Sequence, residues 1–220
     1  MRWSITDSVE YGHQMRKAHT DLPSISLSVE DTQFVGGGAS NTNGVESPTS
    51  VEWINSDGSE GFQIDGGISR FGGYFTNFAK KSFRLYFRKR YGDSQFEYPI
   101  FRGHESGLAP VEEFDSLNLR AGSHDMAQRR AYMSNRFVDD SMLEMGSIAP
   151  HGRFGHVYLN GVYWGQYHLR ERWNAAMFAS YFGGSEEDYD AINGNDNFLD
   201  DFKTYDGTLE LLERDRSAFA

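Results

Sequence analysis

His156-Val157-Tyr158-Leu159, then Asn160-Gly161, then Val162-Tyr163-Trp164-Gly165-Gln166-Tyr167-His168-Leu169-Arg170-Glu171-Arg172 follow one another without a break. The first four residues alternate in polarity as a strand does. Asn160 and Gly161 can both take positive φ, which a two-residue type I′ turn requires. Gln166 to Glu171 alternates again, and Trp173 to Tyr181 has the character of a helix. A hairpin therefore carries an aromatic cluster and the charged pair Glu171-Arg172 to the start of a helix. That arrangement suits a site, or the wall of one.

Outward from the hairpin, Lys81 to Arg88 reads as the clearest strand. Phe83, Leu85 and Phe87 share one face, and Lys81 lies on the same side. Leu22 to Val29, Val51 to Ile54, Phe62 to Ser69 and Ser116 to Leu119 read as further strands. Asn55-Ser56-Asp57-Gly58 is a turn, and Gly36 to Pro48 is a Gly/Asn/Ser/Thr-rich loop. Met126 to Met145 carries Tyr132, Met133, Phe137, Met142 and Leu143 at roughly helical spacing, which predicts a long amphipathic helix. Asp7 to His19 and Thr208 to Arg216 are further helix candidates. The pattern is α+β with a mainly antiparallel sheet.

With 220 residues and 38% hydrophobic content, the chain is long enough to bury a core. No apolar run approaches the ~20 residues of a membrane helix, and no signal peptide is expected at the start. The absence of cysteine excludes disulfides and thiolate metal sites. The net charge of −11 argues against non-specific nucleic-acid binding, yet it is unevenly spread. Gly67 to Gly92 holds seven Lys/Arg and no Asp/Glu, which allows an anionic ligand there. Gly183 to Ala220 holds eleven Asp/Glu against three Lys/Arg and reads as solvated surface.

A lysine on the inward face at a strand end can pair with phosphate as a fixed point charge. Lys81 fits, with Lys80 and Arg70 as the nearby alternatives. The pairs Gly66-Gly67 and Gly72-Gly73 would let backbone approach a ligand closely. The plainer reading of the same stretch is an edge strand protected by Lys and Arg. Glu171 could pair with a phosphate-binding lysine, as in kinases, or be a favourable acid at a helix start. Five histidines from His104 to His168 show no metal-ligand spacing, and His156 and His168 are the one pair that could face each other across the hairpin. No Gly-x-Ser-x-Gly elbow supports serine-hydrolase chemistry. The aromatics Tyr158, Tyr163, Trp164, Tyr167 and Trp173 read as packing, or as a platform for a base.

Asn160-Gly161-x-Tyr163-Trp164-Gly165-x-Tyr167-x-x-x-Glu171-Arg172 resembles the signature of the CotH kinase family, named for a spore-coat protein. Other segments agree in order: Leu22 to Leu27, Gly66-Gly67-Ile68-Ser69-Arg70, Lys80-Lys81-Ser82-Phe83-Arg84-Leu85-x-Phe87-Arg88, Tyr91-Gly92, Tyr98-Pro99-x-Phe101, Phe114 to Arg120, and Gly183-Gly184 with Asp188-Tyr189-Asp190. The resemblance implies an atypical protein kinase-like fold of α+β class, a mainly antiparallel sheet with packed helices. It implies binding of ATP with Mg²⁺ or Mn²⁺ and phosphorylation of serine on secreted or coat proteins, in a secreted or cell-surface setting. Lys81 or Lys80 would hold phosphates. Glu171 would be the partner or a wall residue. Ser69, Arg70 and Arg120 would support the pocket.

Residues 1–220 then form a single partial domain: 1–21 an N-terminal extension, 22–195 the family-like region, and 196–220 an acidic tail. The family's catalytic Asp, Asn and metal site are expected beyond this stretch, because Asp196, Asp200, Asp201 and Asp206 lack that pattern. The competing expectations are a non-catalytic coat or surface module of the same fold and a carbohydrate-binding module.

Overall fold

A computed structural model describes residues 20–30, 45–71, 80–92, 95–103, 106–122, 125–126 and 131–189. The helix candidates Asp7 to His19 and Thr208 to Arg216, the Gly72-Gly73 pair and the acidic tail lie outside them.

Among the described residues nine strands follow in chain order: β1 Ser24–Val29, β2 Ser47–Ile54, β3 Phe62–Phe71, β4 Ser82–Tyr86, β5 Phe96–Glu97, β6 Glu113–Phe114, β7 Ser116–Arg120, β8 Gly152–Leu159 and β9 Val162–Glu171. Seven of them close a barrel in the order β1-β2-β3-β4-β7-β9-β8. Six of the seven pairings are antiparallel. An odd number of strands laid head-to-tail brings the first and last to the same direction, so β1 and β8 close the ring in parallel. The β8–β9 turn has Asn160 at φ 48° and Gly161 at φ 78°, the two positive values its sequence predicts.

The expected α+β kinase-like fold with packed helices is overturned. The described residues are mostly β, with two short α-helices, α1 Ser134–Glu144 and α2 Ala175–Phe182. The helix expected from Met126 to Met145 is eleven residues long and ends at Glu144; beyond its cap Met145, Gly146 at φ 80° donates its N–H to Leu143 O at 2.9 Å. The helix α2 starts where Asn174 caps it, its side-chain oxygen accepting from the Met177 N–H at 3.2 Å. Strand β2 begins at Ser47, inside the segment read as loop.

Alternation fixes what fills the barrel. Cross-strand pairs put Ile68, Leu85 and Leu117 on one inner level and Phe83 and Leu119 on the next. Ile25 pairs with Val157 and Leu27 with Leu159 across the closing seam, and all four are buried. Each buried Leu, Val or Phe contributes roughly 1.5–3 kcal/mol, and a barrel this narrow is filled by side chains rather than left hollow. One end is stoppered by Phe96, Ile100, Phe101 and Phe114. There Arg153 lies 5.3 Å from the Trp53 ring and donates to Ile100 O at 3.1 Å.

Candidate anion-binding site

The opposite end of the barrel is cationic. Arg70 pairs with Phe83 and so faces inward at the end of β3. Lys81 precedes β4 on the same inward side, and Lys80 stands beside it. Burial first, and the positive charge of Arg70 second, pull the Lys81 ammonium below the usual lysine range. The two cations are therefore held close enough to repel.

Lys80 is the more enclosed of the two lysines. Its ammonium donates to the Gln166 carbonyl and sits 4.4 Å from the Tyr167 ring centroid and 5.5 Å from that of Tyr132. Burial brings its pKa down to about 8. Gly165, at φ 117°, makes the space: a Cβ there would come 3.3 Å from Lys80 Cε. Tyr167, fully buried, stacks on Phe83 at 5.8 Å and donates to Lys81 O at 2.7 Å, while Tyr132 donates to Gln166 O at 2.7 Å. Sequence reading missed Tyr132, Gly165 and Gln166 as the cradle of a lysine. The period-2 pattern of β9 does place Tyr167 on the inner face with Leu169.

Ser69 and Arg120 lie on the outer wall of the same end. Ser69 is fully buried, with its hydroxyl 3.3 Å from that of Tyr86. Arg120 pairs with His168 and lies 3.7 Å from Asp125. It belongs to a polar layer beneath α1, in which Asp139 meets Arg170 at 3.1 Å and Arg136 bonds to Asp140 and to Pro150 O. Burial, followed by the charges of Arg170, Arg136 and Arg120, pushes His168 down to about 2, so that ring stays neutral.

Glu171 stands at the other end. It pairs with Leu117 and faces inward among the stoppering residues. It accepts from the His151 N–H at 2.7 Å and from the Tyr181 hydroxyl at 2.8 Å, and that hydroxyl also lies 2.7 Å from His151 Nδ1. Four residues separate Glu171 from Tyr167 along β9, about 13 Å at ~3.3 Å per residue. The structure thus brings Arg70, Lys80 and Lys81 to one rim, sets Ser69 and Arg120 behind it, and keeps Glu171 away. The histidine pair does not form, since His156 pairs with Gln166 and His168 with Phe154. The Gly66-Gly67 pair serves packing. A Cβ on Gly67 would meet the Tyr91 ring at 2.4 Å, and one on Gly66 would meet Tyr86 O at 2.9 Å.

Three cations at one barrel mouth suit an anion with several oxygens. They do not suit a divalent metal, and no group of three His, Asp or Glu is assembled among the described residues. The fold and rim define a closed β-barrel protein with a cationic mouth. The chain belongs to the CotH kinase protein family, whose profile matches residues 68–212. The match begins within β3 and takes in the lysine strand, the hairpin and α2. No curated protein matches the chain. No described helix is long and apolar enough to cross a membrane.

Proposed function

We propose that this chain binds the phosphates of a nucleotide, ATP with Mg²⁺ or Mn²⁺, as part of a CotH-type protein serine kinase acting on secreted or coat proteins. The observation that carries the reading is the gathering of Arg70, Lys80 and Lys81 on one rim, where burial depresses both lysines and the charge of Arg70 also repels Lys81; a polyanion suits such a cluster. Lys80 and Lys81 would hold phosphate oxygens, with Arg70 beside them and Ser69 and Arg120 bracing the wall behind. Glu171 serves as a wall residue of the far end. Metal ligands are not assembled among the described residues, so no transfer step is assigned to them. The test is thermal shift with ATP and Mg²⁺ or Mn²⁺. A ligand that binds the folded state alone raises the melting temperature. The Lys80→Ala/Lys81→Ala double variant should lose that rise, and an unchanged rise would overturn the lysine assignment.

A second reading has its own support. Helix α1 and its C-cap turn Phe137 (72% exposed) and Met145 (74% exposed) to solvent, and Glu171 bonds to His151 and Tyr181 rather than to a lysine. Both features favour a non-catalytic surface or coat module that binds protein. That reading predicts no thermal shift with any nucleotide.

A further inference from the structure

Arg172 follows β9 on the outer side of the barrel and is half-buried. Its guanidinium makes no hydrogen bond or ion pair to a described residue. Its neighbours deepen the problem, because Arg84, Arg88 and Tyr86 lie within electrostatic reach, with Asp115 as the one carboxylate. Register explains the gathering. On the outer face Arg84 pairs with Asn118 and Tyr86 with Ser116, and Arg172 stands one residue past the Leu117–Glu171 pair, level with Ser116. Arg84 donates from Nε to Asn118 Oδ1 at 3.0 Å and lies 4.9 Å from the Phe71 ring. Arg88 lies over the Tyr86 ring at 4.6 Å. Beneath them Ser69, Tyr86, Ser116 and Asn118 form a buried polar floor.

The nearby carboxylates are already committed. Asp115 accepts from the Ser116 hydroxyl at 3.1 Å and from Asn174 Nδ2 at 3.4 Å. Glu46 meets Arg88 at 2.9 Å and also holds Arg90 and the Tyr91 hydroxyl. Arg84, Arg88 and Arg172 therefore gather on the outer face about Tyr86, with Arg88 ion-paired to Glu46 and Asp115 the one carboxylate acting on Arg172. Arginine forks match the oxygens of a tetrahedral phosphate, and an anion bound there relieves the repulsion.

We propose that Arg84, Arg88 and Arg172 form a phosphate-ester site on the outer wall of the barrel, taking the phosphate group of a phosphoserine peptide or free phosphate. It lies on the opposite face of β4 from the inward-facing Arg70 and Lys81 and does not depend on the nucleotide reading.

The test is fluorescence polarisation with a labelled phosphoserine peptide, its unphosphorylated parent, and inorganic phosphate as competitor. The parent protein should bind the phosphopeptide and not the serine form. Arg172→Gln and Arg84→Gln should each weaken binding by about tenfold or more, the scale of a lost charge-assisted fork. Arg172→Lys keeps the charge, loses the fork and should fall between. The Lys80→Ala/Lys81→Ala variant should bind the phosphopeptide within about twofold of the parent, which separates this site from the nucleotide rim. Competition by phosphate at matching affinity assigns the site to free phosphate, and weaker competition assigns it to the peptide. Absence of phosphopeptide and phosphate binding overturns the proposal, as does unchanged affinity in both glutamine variants with melting temperatures near that of the parent.

Discussion

The Asn160 side chain does the work of a missing peptide unit. Its amide oxygen accepts from the Val29 N–H at 2.8 Å, and its NH₂ donates to Val29 O at 2.9 Å. The Asn160 N–H donates to Leu27 O at 2.8 Å. The parallel seam between β1 and β8 thus runs one step past Leu159 by way of a side chain. The same residue also holds φ 48° in the turn, which few residues other than Gly, Asn and Asp do without strain. Asn160→Gly keeps the turn and removes both amide bonds, at about 1 kcal/mol each. It should lower stability by about 2 kcal/mol in urea denaturation. Asn160→Ala should lose about 1 kcal/mol more, the cost of a Cβ at positive φ. A glycine variant as stable as the parent would remove the clip from the account. The turn was legible because Asn-Gly is a local signal. The clip was not, because Val29 lies 131 residues away and nothing in either segment names the other.

At the scale of elements, α1 is built inside out. Arg136, Asp139 and Leu143 are its buried residues, while Phe137, Val138, Met133 and Met145 are exposed. The cause is the wall it packs on. The outer faces of β7 and β9 present Arg120, His168 and Arg170, and a helix covering that wall must bring acids to it. Burial raises the Asp139 pKa, and the charges of Arg170, Arg136 and Arg120 oppose the rise. Removing one partner of a buried pair strands the other. Asp139→Ala should therefore cost about 3 kcal/mol or more, whereas Phe137→Ser should stay within about 0.5 kcal/mol of the parent. Equal losses in chemical denaturation would reverse the assignment of inward and outward faces. The spacing of Tyr132, Met133, Phe137, Met142 and Leu143 predicts a helix but mis-assigns its inner face. Periodicity reports that one side differs from the other, and only the neighbouring wall decides which side is buried.

For the whole molecule, the single strands were legible from alternation, and their closure was not. The parallel β1–β8 seam joins segments more than a hundred residues apart, and only the ring as a whole makes it necessary. The site was legible to the same extent. Alternation puts Lys81 on the inner face with Phe83, yet the path of β9 carries Glu171 to the far end, which spacing along the chain does not reveal. Closure also encloses Lys80, and this sets how the rim should respond to pH. In the folded chain Lys80 titrates near pH 8, depressed by burial from the ordinary value of 10.5. Between these values the unfolded chain holds a proton that the folded chain has released, so this group makes stability rise as pH rises. An anion on the rim favours the charged form and works the other way. Its affinity should be greatest below about pH 8 and fall as pH rises, by up to about tenfold per pH unit. Lys80→Arg, with a charge that persists across this range, should flatten the decline. Calorimetric titration of ATP between about pH 7.5 and 9.5, above the last phosphate ionisation, reads the slope directly. A flat profile in the parent chain, or an equal slope in Lys80→Arg, would take Lys80 out of the proposed phosphate site and leave Lys81 and Arg70 as its candidates.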